Sequence, residues 1–287
     1  MLRRFPPVLV IAGVALVWGA IPLIVREEIP ATQLVATRVL FGGIAMFAIL
    51  AAKGDVSIAR EQVPRVILLG FILTTHWLTV FAAIKTTSVA VALAVVYLGP
   101  MMASLLAPRF LGERFNAKAA LGLVPAVVGT MLVLSPSSGA TAQGIALAAV
   151  SAAFVTALML VGKLAAAAIG GMKLAAYEMA VATALLFPWS VAAARESAHL
   201  WKQLLVLGVL LTGFALAIYW TTMARLPMST TVVLMYLEPA SAAVLATVVL
   251  GEATSAYSWV GIGLVILGGV TVALWSDDST VEASLAG

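Results

Sequence analysis

The sequence predicts an all-α membrane protein: ten transmembrane helices built as two inverted five-helix repeats, with both termini in the cytoplasm. Three observations predict it. Of 287 residues, 63% are hydrophobic and only 10% charged, and the mean hydropathy is +1.14, far above soluble values. The apolar runs recur at lengths near the ~20 residues that cross about 30 Å of hydrocarbon. An internal match also pairs residues 139 positions apart, across two successive spans.

Taken in order, the spans are expected at Val8–Val25, Ala31–Ala52, Pro64–Ile84, Thr87–Pro108, Ala117–Leu134, Gly144–Gly162, Met172–Ala194, Leu200–Ala224, Met228–Leu250 and Ala256–Trp275. The first follows a basic start, MLRRF, in the manner of a signal peptide. Its apolar run is long and lacks a small-x-small cleavage site before Arg26, so it is read as a retained helix. The second carries Arg38, the third TTHWLTV with His76 and Trp77, the fourth VYLGP, and the fifth a glycine-bearing run. The sixth to tenth repeat this order, with Glu178 in the seventh and YLEP in the ninth. Helices are preferred to a barrel because the runs are continuously apolar, rich in Ala, Leu and Gly, and show no ten-residue alternation.

The net charge of +4 is spread over short inter-span loops and forms no aromatic-interleaved basic patch, so it reads as a topology signal and not as a nucleic-acid footprint. With a cytoplasmic N-terminus the inner side holds Arg3, Arg4, Lys53, Arg60, Arg65, Arg109, Arg114, Lys118, Lys163, Lys173 and Arg225. The outer side holds Arg26, Lys85, Arg195 and Lys202, and Arg38 stays within a span. That asymmetry places both termini inside. Zero cysteines exclude thiolate chemistry and disulfides. The tail, SDDSTVEASLAG, is expected to be disordered.

The internal match is specific. VYLGPMMASLLAPRFLGE (Val96–Glu113) aligns with MYLEPASAAVLATVVLGE (Met235–Glu252), pairing Tyr97 with Tyr236, Pro100 with Pro239, Gly112 with Gly251 and Glu113 with Glu252. The register continues through Gly122 with Gly261 and Gly129 with Gly268, and a weaker echo pairs LVATRV (Leu34–Val39) with LAAYEM (Leu174–Met179). Two halves of five spans follow, 1–137 and 138–276, ahead of the tail at 277–287. Because five is odd, the second half enters the membrane from the opposite side, the inverted design of many secondary transporters.

Paired "YLxP … LGE" segments followed by Gly-rich helices resemble the drug/metabolite transporter superfamily, EamA type, over nearly the whole chain. Within it the overall impression is of the YddG-type exporters of aromatic amino acids, although the shared motifs are scaffold motifs. The resemblance implies a central cavity between the halves, lined mainly by spans one, three, four, six, eight and nine, with five and ten packed outside it.

Glu238 lies about halfway along the ninth span, where a charged side chain costs about 2.5 to 3.5 kcal/mol. Pro239 frees a carbonyl near Met235 at the same depth. The functional reading is a counter-ion for a substrate amine or a proton-titrating group; the alternative is a buried carboxyl bonded to a neighbouring helix. His76 either binds a substrate carboxylate or relays a proton, or is a neutral imidazole bonded to a Thr or a carbonyl across a helix interface. Trp77 follows it about 100° round the helix, so at most one of the two points into a cavity. Trp18, Tyr97 and Tyr236 fall at mid-depth, where aromatic rings stack on a planar substrate, hold a cation or pack helices. Trp189, Trp201, Trp259 and Trp275 sit near span ends and suit interfacial belts.

Arg38 and Glu178 occupy matching places in the second and seventh spans, but inversion separates them. Arg38 is expected either to pair with Glu27 or Glu28 in an outer gate or to snorkel outward, and both residues are read as structural. Glu113 and Glu252, just ahead of the fifth and tenth spans, are read as caps for those helices. Hinges are expected at Pro100, Pro239 and Pro22.

There is no HExxH, no GxGD-type second acid and no P-loop, so intramembrane proteolysis and ATP-driven pumping lack their parts. His76 and His199 lie far apart, which gives no metal site, and no cofactor is expected. The function these readings converge on is alternating-access export of small metabolites across the cell inner membrane. Amino acids with aromatic or large apolar side chains lead as cargo, and the partners are a small-molecule substrate and the lipid bilayer, without nucleic acid, in a monomer. Efflux of lipophilic cations is the second transport reading; a non-transporting scaffold or a lipid-modifying enzyme is the reading from another class.

Overall fold

A computed structural model describes residues 5–21, 29–114, 117–134, 140–251 and 255–275. Among them the secondary structure is helical, and eight helices are long and apolar enough to cross a membrane. These are Ala31–Ala52, Arg60–Thr86, Val89–Leu111, Ala142–Ile169, Gly171–Glu196, Trp201–Met223, Met228–Val249 and Ala256–Leu274. The first and fifth expected spans appear as the shorter helices Pro7–Trp18 and Ala117–Leu134. Pro22, Glu27, Glu28, Glu252 and the 277–287 tail lie outside the described residues. Large apolar side chains such as Leu9, Phe110, Leu121, Val248 and Leu274 cover the outside of the molecule, as a hydrocarbon solvent requires.

The observed bounds correct one expectation with a consequence for the site. The sixth span does not stop at Gly162 but runs on to Ile169, because the Ala-rich stretch after it has high helix propensity. It ends at Gly170, whose φ of 88° stops the helix. Lys163, assigned to a loop from sequence, therefore sits within a helix.

The twin motifs fold alike. The fourth span breaks at Tyr97 into Val89–Val96 and Leu98–Leu111, and the ninth breaks at Tyr236 into Met228–Met235 and Leu237–Leu250. Tyr97 has φ −68° and ψ −9°; Tyr236 has φ −66° and ψ −10°. Each break lies three residues before a proline, whose missing N–H releases the carbonyl four residues back. Both segments end on a left-handed glycine, Gly112 and Gly251, each at φ 68°, a conformation that glycine adopts without a Cβ clash.

Packing follows the same exchange. The second span packs on the seventh, the fourth on the ninth and the fifth on the tenth. The third packs on the sixth as the eighth does on the first, the fourth on the sixth as the ninth on the first, and the third on the seventh as the eighth on the second. Each of these pairings maps onto another, or onto itself, when a span is replaced by the one five positions away.

The fifth and tenth spans touch through backbone. A Cβ at Gly129 would lie 2.5 Å from the Gly261 carbonyl oxygen, and one at Gly261 would lie 2.5 Å from the Gly129 carbonyl oxygen. Gly122 and Gly268 face each other in the same way. Helices in lipid gain association energy from such close approach because no hydrophobic drive separates tail from tail. Gly129→Val is expected to destabilise the protein by about 1–3 kcal/mol through overpacking, read as a lower midpoint of thermal unfolding in detergent, while Gly263→Val, at a position with nothing within 4 Å of its Cβ, leaves it unchanged.

Candidate functional site

The two span breaks meet. The Tyr236 hydroxyl donates to the Tyr97 carbonyl at 2.7 Å, and the two rings lie 5.8 Å apart, tilted by 35°. The Tyr97 hydroxyl in turn hydrogen-bonds the Glu238 carboxylate. A helix break is tolerated at this depth because its backbone groups find partners in neighbouring helices. Tyr236 is buried, at 1% exposure, whereas Glu238 and Tyr97 retain partial access.

The asymmetry between YLGP and YLEP has a steric origin. Gly99 presses on the sixth span: a Cβ there would overlap Val155 and lie 2.6 Å from the Ala152 carbonyl oxygen, and Thr156 Oγ1 donates to the Gly99 carbonyl at 2.9 Å. The sixth span thus closes the place where a side chain would stand. At the twin position the first span passes with Gly19, where a Cβ would lie 2.7 Å from the Glu238 carbonyl oxygen. The atoms facing Gly19 are the Ser241 hydroxyl and the backbone of Glu238 and Ala242, not the Glu238 side chain.

A second cluster is built on the eighth span, where Val209–Phe214 forms one π-helical turn. The wider turn leaves backbone groups available, and π-bulges recur at functional sites for this reason. Trp18 Nε1 donates to the Leu211 carbonyl at 2.9 Å. Thr212 Oγ1 donates to the Leu207 carbonyl at 2.8 Å and accepts from Arg38 Nε at 3.0 Å. The Arg38 guanidinium also lies 4.7 Å from the centre of the Trp77 ring. Gly42 packs against Gly208, just before the turn, and Gly213, within it, so the second span can approach closely enough to deliver Arg38.

Arg38 is therefore held inside the bundle, 7% exposed, and does not snorkel outward. It and Glu238 lie within range of each other's charge. Two ionisable groups that would each cost about 2.5–3.5 kcal/mol alone partly offset each other. Tyr219 extends the aromatic surface: its ring is 5.3 Å from Trp18 and 4.9 Å from Trp220.

His76 turns elsewhere. Its Nδ1 lies 2.9 Å from Ser151 Oγ and 3.1 Å from the Ser151 carbonyl oxygen, and Ser151 Oγ also donates to the His76 carbonyl at 3.1 Å. His76 thus ties the third span to the sixth, while Trp77 faces Arg38 on the second. Glu178 is fully buried, accepts from Trp220 Nε1 at 2.9 Å, and does not pair with Arg38. Among the described residues no three His, Asp or Glu side chains converge as metal ligands would.

Glu113 binds groups of the other half. Its Oε2 accepts from the Met228 amide at 2.7 Å, capping the first turn of the ninth span, and its Oε1 is ion-paired with Lys163, which also donates to the Leu226 carbonyl. The extra turns of the sixth span deliver that lysine. Expectation from sequence missed Thr212, Tyr219, Trp220 and this role of Lys163. Depth flags Tyr219 and Trp220, which lie well inside the eighth span; nothing local marks the π turn that singles out Thr212.

A bundle of apolar helices with ionisable and aromatic groups gathered at mid-depth, beside broken helices, is the arrangement of a membrane transporter of small molecules. The chain belongs to the EamA-like transporter family, whose sequence model matches residues 5–135 and again 142–274. It is 25% identical over 253 residues to a Bacillus subtilis (strain 168) protein described as the uncharacterized transporter YxxF, covering 85% of this chain and 81% of that one. A protein of known crystal structure, 22% identical, superimposes with a TM-score of 0.79 over 93% of this chain and 96% of its own, which shows the shared fold.

Tyr236→Phe removes the bond between the two span breaks. It is expected to cost about 0.6–1.7 kcal/mol, the range of hydrogen bonds between membrane helices, measured as a lower unfolding midpoint against Tyr257→Phe, whose ring is exposed.

Proposed function

We propose that this transporter exports amino acids, with preference for aromatic or large apolar side chains, by alternating access. The observation that carries the proposal is Glu238, partly accessible at mid-depth, bonded to Tyr97 and within range of the Arg38 charge. A zwitterion presents an amine for the carboxylate and a carboxylate for the guanidinium. The rings of Tyr97, Trp18 and Trp77 then offer a face to its side chain. Trp18 and Arg38 reach this region from the first and second spans and Glu238 from the ninth, so the two halves, 1–137 and 138–276, both contribute.

In this reading the halves are inverted repeats that rock about the breaks before Pro100 and Pro239, and the site opens alternately to the two sides. His76 acts by holding the third and sixth spans together beside the site. Both termini are cytoplasmic, as the loop charges require, in a monomer of the cell inner membrane.

Efflux of lipophilic cations uses the same carboxylate and rings. Arg38 favours the zwitterion, because a buried guanidinium repels a cation that brings no carboxylate.

Flux into proteoliposomes discriminates the two. Labelled aromatic amino acids are expected to exchange, and their methyl esters, which lack the carboxylate, to exchange poorly. Saturable flux of esters and organic cations without flux of free amino acids would reverse the assignment. Glu238→Gln is expected to lower amino-acid flux about tenfold or more, the factor given by losing 1.4 kcal/mol of binding, while the protein purifies and unfolds like the wild type. Undiminished flux in that variant removes the carboxylate from the site.

A further inference from the structure

We propose that Glu178 is a proton-binding site, separate from the substrate carboxylate Glu238, whose protonation couples transport to the pH gradient. The proposal rests on the transporter reading of the same site. It begins from a carboxyl that the substrate site does not use. Glu178 is 0% exposed, seven residues into a helix that starts at Gly171, about 10 Å along its axis.

Its two oxygens are treated differently. Oε2 accepts from Trp220 Nε1 at 2.9 Å, and Oε1 has no hydrogen-bond partner. The indole is held in place: a Cβ at Gly162 would overlap its ring, so the sixth span clamps Trp220 against the carboxyl.

Among the described residues no ionisable group on the helices packed against Glu178 is bonded to it, and several are engaged elsewhere. Arg38 on the second span is bound to Thr212 and Trp77. On the third span, His76 contacts Ser151 and Arg65 donates to Gln62. Lys163 on the sixth is paired with Glu113. On its own helix, Lys173 is paired with Asp55 and the Tyr177 hydroxyl donates to the Val56 carbonyl. Tyr219, on the eighth span, is the titratable side chain within range of its charge.

An ionised carboxylate in this position would be a buried charge without a counter-ion, whereas a protonated one leaves only a hydroxyl without an acceptor. The second costs far less than the first. Glu178 therefore holds a proton in this conformation. A rearrangement that admits water beside Trp220 releases it, which is how buried acids in membrane helices serve as proton relays.

Tyr219 connects this site to the substrate site. It lies within range of both Glu178 and Glu238, and its ring stands between Trp220 at 4.9 Å and Trp18 at 5.3 Å. A charge appearing on Glu178 is felt at the rings that face the substrate without any shared ligand. Proton occupancy and substrate occupancy thus bias the same rearrangement, which is all that coupling requires.

The test uses the full chain in proteoliposomes carrying a trapped pH dye. Wild type is expected to accumulate aromatic amino acid against its gradient when a pH gradient is imposed, with proton movement that depends on the amino acid. Glu178→Gln, which keeps an acceptor for Trp220, is expected to retain downhill flux and lose both accumulation and coupled proton movement. Downhill flux in wild type with no response to the gradient, or accumulation retained in Glu178→Gln, overturns the proposal and leaves the transport reading intact. Absence of flux for every amino acid defeats the substrate reading instead. Infrared spectra in the Glu238→Gln background then decide the proton site: the carbonyl stretch of a protonated buried carboxyl is expected, and is expected to vanish on adding Glu178→Gln. A band unaffected by that change overturns the proposal. Should Glu178→Gln fail to purify, Glu178→Asp is expected to shift the band, and an unshifted band counts equally against it.

Discussion

Every polar group at the middle of this bundle must find its partner inside the protein, because hydrocarbon supplies none. Pro100 and Pro239 each remove a backbone donor, and the chain responds by breaking the fourth and ninth spans at Tyr97 and Tyr236 with nearly identical backbone angles. The breaks then satisfy each other through the bond from the Tyr236 hydroxyl to the Tyr97 carbonyl. The rest of the centre is arranged round this contact: Glu238 follows one break by two residues and is bonded by the tyrosine of the other.

The same constraint explains the division of labour among the buried polar residues. Arg38, Thr212 and Trp18 gather at the π turn of the eighth span, where backbone carbonyls are available to them. His76 and Ser151 satisfy one another and pin two helices. Glu113 joins Lys163, the Leu226 carbonyl and the Met228 amide where the fourth, sixth, eighth and ninth spans converge. Set against these closed arrangements, Glu238 retains access and Glu178 retains an orphaned oxygen. Thr130 and Ser190 also bury an unpartnered hydroxyl, but only a carboxyl changes its charge, which sets Glu238 and Glu178 apart.

Much of this was legible in sequence for identifiable reasons. Span positions follow from apolar run length, and the paired breaks from two prolines in matching motifs; the repeat register matched Gly122 with Gly261 and Gly129 with Gly268, but that these glycines bring the fifth and tenth spans together was decided by packing. The separate directions of His76 and Trp77 follow from 100° of helical rotation. The end of the sixth span was misread because Gly162 looked like a terminator, when its role is to receive the Trp220 ring and the stop lies at Gly170. Arg38 was assigned to the outer interface because its acceptor, Thr212, sits on the eighth span and is exposed to it by a π turn that has no sequence signature. The Met228 amide that Glu113 caps is distant in the chain, so this partner leaves no local signature beside the capping of the fifth span that the sequence suggests.

The sequence by itself determined that the chain lives in a membrane, that its spans are helical, that it consists of two related halves, and that Glu238 departs from their symmetry. These are properties of composition, run length and repetition, which are local or periodic. Only the tertiary structure decided why the departure is tolerated. The sixth span fills the place beside Gly99, whereas the first span meets the ninth at Gly19 through the Ser241 hydroxyl and the backbone of Glu238 and Ala242, not through the Glu238 side chain. It also decided which buried groups are satisfied and which are not. Partners for a buried charge come from helices far away in sequence, and their approach depends on packing and on backbone irregularity that no local pattern records.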